Sequence, residues 1–186
     1  MIRDDRGAAG FTLVELMLTV AVLAILLGIA VPGLRHFIDS HRLRAAAETL
    51  AADLQYARTA ALRRGGQSDV YVSFLAGSRW CYGLGESPCD CRQPPSAPGA
   101  CRLQLGGQTL DRRLDHRRFP GIRLDHARFG NSSSTRFEAL RGIARPGRLR
   151  LQGASRQQLE IRLSLLGRVR LCHPRGQPAP AGYSPC

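Results

Sequence analysis

The sequence contains no lysine, and all 27 of its basic residues are arginine. A Walker-type phosphate loop, which needs a lysine after its glycines, is therefore excluded. Acids are also scarce: 14 Asp and Glu leave a formal charge of +13. There is no nucleophile motif and no convincing carboxylate pair. Asp111, Asp115 and Asp125 lie among arginines, where ion pairing is the expected role. His36, His41, His116, His126 and His173 are scattered, and no paired Cys/His spacing accompanies Cys89-Asp90-Cys91. No enzymatic constellation, metal centre or cofactor is expected. No internal repeat occurs.

What is present divides into two parts. A chain of 186 residues accommodates one membrane segment and one modest globular domain. Its charge is unevenly placed. From Cys101 to Cys186, seventeen arginines face five acids, a surplus of twelve, so nearly all the net charge lies in the C-terminal half. Codon bias is the plain alternative for the use of arginine in place of lysine, but the asymmetry is harder to dismiss. The resulting field favours a polyanionic partner: nucleic acid, lipid headgroups or an acidic protein face.

Phe11 to Val31 is almost wholly apolar. At a rise of about 1.5 Å per residue this run spans roughly 30 Å, enough for a bilayer core. A secretory signal would place small residues after the apolar run. Here Gly7, Ala8, Ala9 and Gly10 come before it, so cleavage after Gly10 leaves the whole run on the mature chain. Glu15 is the anomaly, because a carboxylate in a spanning helix costs a few kcal/mol without a partner. A new α-amine on Phe11, belonging to a neighbouring subunit, supplies one. Snorkelling to headgroups is the simpler alternative.

The stretch Gly10-Phe11-Thr12-Leu13-Val14-Glu15-Leu16-Met17 resembles the signal of type IV pilins and type II secretion pseudopilins. That resemblance implies cleavage between Gly10 and Phe11 by the prepilin peptidase, N-methylation of Phe11, and assembly with other pilin or pseudopilin subunits through Glu15. It also implies a single-pass inner-membrane protein with its head in the periplasm. The leader departs from the pattern, since Asp4 and Asp5 offset Arg3 and Arg6 and leave it neutral.

Pro32 and Gly33 follow, and a kink or local loosening is expected there. From Leu34 to Arg64, apolar residues at Phe37, Ile38, Leu43, Ala47, Leu50, Leu54, Ala57, Ala61 and Leu62 fall near the 3–4 spacing of an amphipathic helix. Charged residues, Asp53 among them, occupy the other face, and Gly65-Gly66 stops the helix. The expected organisation is a leader over 1–10, a membrane and assembly helix over 11–33, its amphipathic continuation over 34–66, and a β-rich head over 67–186. The fold class is α+β.

In the head, Val70–Phe74 and Trp80–Leu84 read as strands about a Gly77-Ser78 turn. Ser87 to Ala100 reads as an irregular stapled loop. Further strands are expected at Arg102–Leu105, Ile122–Leu124, Thr135–Glu138 and Arg148–Leu151. A final hairpin alternates Leu159, Ile161, Leu163 and Leu165 with Glu160, Arg162 and Ser164, turns at Leu166-Gly167, and returns through Arg168-Val169-Arg170-Leu171. The tail from Pro174 reads as irregular. The stretches Gln55–Arg64, Trp80–Leu84, Arg136-Phe137 and Gly167–Arg170 resemble the H-type pseudopilins and FimT/FimU-like minor pilins.

FimT-type minor pilins carry a Gly-Arg-x-Arg element and use it to bind DNA. Carried over, the resemblance proposes Arg168 and Arg170 as phosphate contacts. Alternation puts both on one strand face, with Arg162 near them across the hairpin and Arg148 and Arg150 as further members. The plain alternative is a solvated strand face. Cys81, Cys89, Cys91, Cys101, Cys172 and Cys186 all follow the apolar segment, which reads as an oxidising compartment. Six cysteines allow fifteen pairings. The expected set is Cys172 with Cys186 and two bridges, of open connectivity, among the other four.

Overall fold

The computed structural model describes residues 12–186, so the expected cleavage and methylation residues Gly10 and Phe11 lie outside the described residues. Helix α1 spans Leu13–Arg63. Thr12 stands just before it, and its hydroxyl oxygen accepts a hydrogen bond from the Glu15 N–H at 3.2 Å. This N-cap satisfies a backbone donor that has no partner within the helix. The backbone stays helical through Pro32 and Gly33, where a loosening was expected.

The chain divides into two compact units between Ile38 and Asp39. In the first, the apolar side chains from Leu13 to Leu34 are exposed. An 18-residue window of this segment has a mean hydropathy of 2.6, and its helix is long and apolar enough to cross a bilayer.

The second unit begins with the remainder of α1. Leu43, Ala47, Leu50, Leu54, Ala57 and Ala61 are buried at the expected spacing, joined by Ala46 and Ala60. Four positions depart from the expected pattern: Phe37 and Ile38, ahead of this unit, are exposed, and so is one leucine, while one carboxylate is buried. Leu62 is 44% exposed, whereas Asp53, assigned to the polar face, is 5% exposed. Asp53 accepts hydrogen bonds from Tyr82 Oη at 2.6 Å and Arg112 Nε at 2.7 Å, and a paired carboxylate can stay in a core that would reject a lone one.

Ten strands follow: β1 (Val70–Leu75), β2 (Cys81–Gly85), β3 (Leu103–Leu105), β4 (Gln108–Leu110), β5 (Arg113–Asp115), β6 (Arg123–Arg128), β7 (Ser134–Phe137), β8 (Gly147–Gln152), β9 (Gln158–Leu163) and β10 (Val169–Cys172). They form a sheet ordered β5-β2-β1-β7, a second ordered β10-β9-β8-β6, and the small hairpin β3-β4. Every pairing is antiparallel. The core lies between helix and sheets, with Trp80, Tyr82, Phe129 and Phe137 as its largest members. Trp80 Nε1 donates to the Ile122 carbonyl at 2.8 Å, which satisfies the indole inside the core.

β4 and β5 were not expected, because three-residue strands of polar composition carry no alternation signal. Leu165 was assigned to the apolar face of the final hairpin. It instead forms the turn with Leu166 and is 57% exposed. Three disulfides close the head: Cys81–Cys91, Cys89–Cys101 and Cys172–Cys186.

Candidate functional site

Alternation along the second sheet sends Leu149, Leu151, Leu159, Ile161 and Leu163 into the core. The intervening residues face outward. On this outer face the register sets Arg170 opposite Arg162, Arg162 opposite Arg148, and Arg148 opposite Arg128. One arginine from each of the four strands therefore stands in a single row. At the usual strand spacing of ~4.8 Å, three steps make it about 14 Å long. All four residues are exposed, and with Arg168 they line a shallow groove of about 630 Å³.

A second outward row runs beside the first: His126, Arg150, Glu160 and Cys172. Glu160 is only 1% exposed although it points away from the core. Its oxygens accept from Arg150 Nη2 at 3.0 Å and Arg162 Nε at 2.8 Å. Burial pushes the Glu160 carboxyl up, but the hydrogen bonds from Arg162 and Arg150 outweigh it and hold the group below the usual carboxylate range. The strand neighbour Cys172 is bridged to Cys186, whose main-chain oxygen accepts from Arg162 Nη1 at 3.3 Å. The tail is also fastened to α1. Arg44 Nη2 donates to the Ala181 carbonyl at 2.9 Å, and Tyr183 Oη to Glu48 at 2.9 Å. Burial and that hydrogen bond push the Tyr183 phenol up to about 12.

The end of the row is set by the β9–β10 turn. Ser164 N donates to the Arg168 carbonyl, and Arg168 N donates to Ser164 Oγ at 3.1 Å. Gly167 has φ +73°, and a Cβ there would lie 2.8 Å from both Arg58 Nε and the Gly142 carbonyl. Gly167 therefore does more than turn the chain: it lets the hairpin pack onto α1. At the other end, Gly147 leaves no room for a side chain against the Arg128 carbonyl and Phe129, so β8 lies close to the end of β6.

Arg168, Arg170, Arg162 and Arg148 thus come together as the sequence suggested. Arg150 is turned to Glu160 and does not line the groove. Arg128 was missed. It lies about forty residues before the Gly-Arg-x-Arg element in a segment without such a motif, and only the β6–β8 register places it in the row. Asp111 and Asp125 form the expected ion pairs, with Arg113 and Arg123. Asp115 departs from that expectation, capping a 3-10 turn at His116–Arg118 by accepting from Arg117 N at 2.9 Å. No cluster that could hold a metal ion occurs among the described residues.

Glu15 is exposed in the first turn of α1, where the helix dipole favours a carboxylate. The pattern Thr12-x-x-Glu15 is that of a capping box, a signal that could have identified Thr12 from sequence.

The family model for type II transport protein GspH matches residues 46–167. The prokaryotic N-terminal methylation motif matches residues 5–31. In fold, the chain is similar to the type IV minor pilin FimU of Pseudomonas aeruginosa strain PAO1. The TM-score is 0.51 at 20% identity, over 76% of this chain and 96% of that one. No curated protein matches the chain. The GspH match stops at Gly167, so Arg168, Arg170 and the clasped tail lie beyond it.

Proposed function

The chain belongs to the GspH family of type II transport proteins, and from that premise we propose that it is a minor subunit of a pilus-like filament whose head binds the backbone of duplex DNA. The row Arg170–Arg162–Arg148–Arg128 carries this reading. Like charges directly opposite each other destabilise a sheet, and here three such pairs follow one another. Glu160 is the carboxylate hydrogen-bonded to a member of the row, and its bond there is to Arg162. A polyanion supplies the missing counter-charge, and guanidinium forks match phosphate oxygens.

The groove is lined by arginine, glycine, leucine and serine, with no aromatic side chain. It offers no stacking platform for the bases of a single strand. Binding then runs through phosphates, independent of sequence and sensitive to salt. Full-length protein in non-ionic detergent is titrated with duplex DNA at low and moderate salt. Arg168→Ala combined with Arg170→Ala is expected to weaken binding about tenfold or more and to flatten the salt slope by roughly 2. Unchanged affinity sinks this site.

Assembly is a separate part of the proposal. Prepilin peptidase cleaves between Gly10 and Phe11, Phe11 is methylated, and Glu15 pairs with the Phe11 amine of a neighbouring subunit. The methylation-motif match supports this. The apolar helix and three head disulfides support inner-membrane anchoring with the head in the periplasm. A mature chain beginning at Phe11 in cells lacking the peptidase would contradict it.

A further inference from the structure

The other sheet carries a second basic concavity, of about 980 Å³. Its position follows from the chain. β5 pairs with β2 so that Asp115 stands opposite Cys81, and His116 N donates to the Trp80 carbonyl at 2.9 Å. The turn at His116–Arg118 is thereby fastened beside Arg79, the residue before Trp80. Trp80 is buried and stacks on Phe119, with ring centroids 6.5 Å apart, so the turn sits on a rigid base. Leu75, Leu114 and the Cys81–Cys91 bridge give the concavity apolar lining.

Five arginines line it, and they are not equivalent. Arg92 is engaged by Asp90 at 2.9 Å, and Arg113 by Asp111 at 2.7 Å. The guanidinium groups of Arg79, Arg117 and Arg118 are exposed and make no ion pair or side-chain hydrogen bond among the described residues. Asp115 is the carboxylate in the lining, and it accepts from the Arg117 N–H. Three free cations thus face one carboxylate around a concave surface.

We propose that this cleft binds a compact phosphorylated ligand, with Arg79, Arg117 and Arg118 holding a phosphomonoester or pyrophosphate group and the apolar lining receiving the body that bears it. Its shape separates it from the arginine row. There the cations are spaced evenly along an open sheet, which suits an extended polyanion. Here they cluster around a pocket of small-molecule size, which suits a single multiply charged group. Guanidinium forks bind phosphate oxygens bidentately, so three unpaired ones lining one pocket favour a dianion over chloride. The cleft uses no residue of the row, and it stands or falls independently of DNA binding there.

Trp80 is the chain's single tryptophan and lies buried at the base of this cleft, so its emission is read together with the heat of binding. Full-length protein in non-ionic detergent is titrated with sodium pyrophosphate against sodium chloride of equal ionic strength. The expected result is a saturable change, in binding heat and in Trp80 emission, with pyrophosphate alone. Arg117→Ala plus Arg118→Ala should raise the apparent Kd at least tenfold. Arg168→Ala plus Arg170→Ala should leave it unchanged. Phosphatidic acid doped into the micelles, compared with phosphatidylcholine, distinguishes a lipid headgroup from a free phosphate. Saturation by either source supports the site. No saturable change with either, or an equal response in the Arg117/Arg118 variant, overturns it. A response to duplex DNA that needs Arg117 and Arg118 but exceeds the response to pyrophosphate and lipid would also overturn it, by making the cleft a second DNA contact.

Discussion

Glu160 and Arg162 lie two residues apart on the outer face of β9, joined by a 2.8 Å hydrogen bond from Arg162 Nε to a carboxylate that is almost wholly covered. The pair joins the two outward rows of the sheet, one a line of arginines and the other ending at the Cys172–Cys186 bridge. Arg150 completes the bond set from the adjacent strand.

Glu160→Gln should lower the stability of the head at neutral pH by about 2 kcal/mol, the scale of hydrogen bonds to a charged group. The pH dependence has a definite sign. The folded carboxyl titrates below its unfolded value, so its stabilisation is present above about pH 4.3 and is lost as pH falls through the folded value. The variant should therefore lose less stability than the parent on acidification below pH 4. Urea denaturation at pH 7 and pH 3 measures both effects.

Arg148 stands opposite an arginine on each side, Arg128 and Arg162. Arg148→Thr should relieve two repulsive pairs and raise head stability by about 0.5 kcal/mol at low salt. The same change should weaken duplex DNA binding and reduce the salt slope by roughly 0.9. Opposite movements of melting temperature and affinity are what a row built for a ligand requires. A variant less stable and still fully binding would count against it.

Asp53→Ala leaves Tyr82 and Arg112 without their shared acceptor. Arg112 is half exposed and also lies over the Tyr56 ring at 4.3 Å, so water and the ring recover part of the loss. The expected cost is about 3 kcal/mol, the low end for breaking a buried pair. Thermal unfolding of the variant reads it directly.

Gly167→Ala requires a side chain at φ +73° and a Cβ against Arg58 and the Gly142 carbonyl. About 1–3 kcal/mol of destabilisation is expected, together with weaker DNA binding because the turn places Arg168. Gly121→Ala, at φ +84° with its nearest atom 3.8 Å away, serves as a control for backbone strain without crowding and should leave DNA binding intact.

Cys172→Ser plus Cys186→Ser opens a loop of sequence separation 14. Loop-closure entropy for a loop of that length is about 3 kcal/mol. Because the tail is also held through Arg44 and Tyr183, it should remain near α1. Faster amide exchange should then be confined to the last residues and β10.

The sequence alone determined the features that depend on neighbours along the chain. Apolar length marked a helix long enough to cross a bilayer, and period-2 alternation marked β9 and β10. The same alternation put Arg168 and Arg170 on one strand face. Where a residue's role depended on distant strands, the sequence was silent or misleading. Asp53 read as a surface residue because its partners Tyr82 and Arg112 are far along the chain. Arg150 read as a member of the arginine patch until the β8–β9 register set it against Glu160. Arg128 had no local signal at all. Only antiparallel pairing across β6, β8, β9 and β10 aligned four arginines from segments that share no pattern, because strand register is set by packing of the opposite, apolar face.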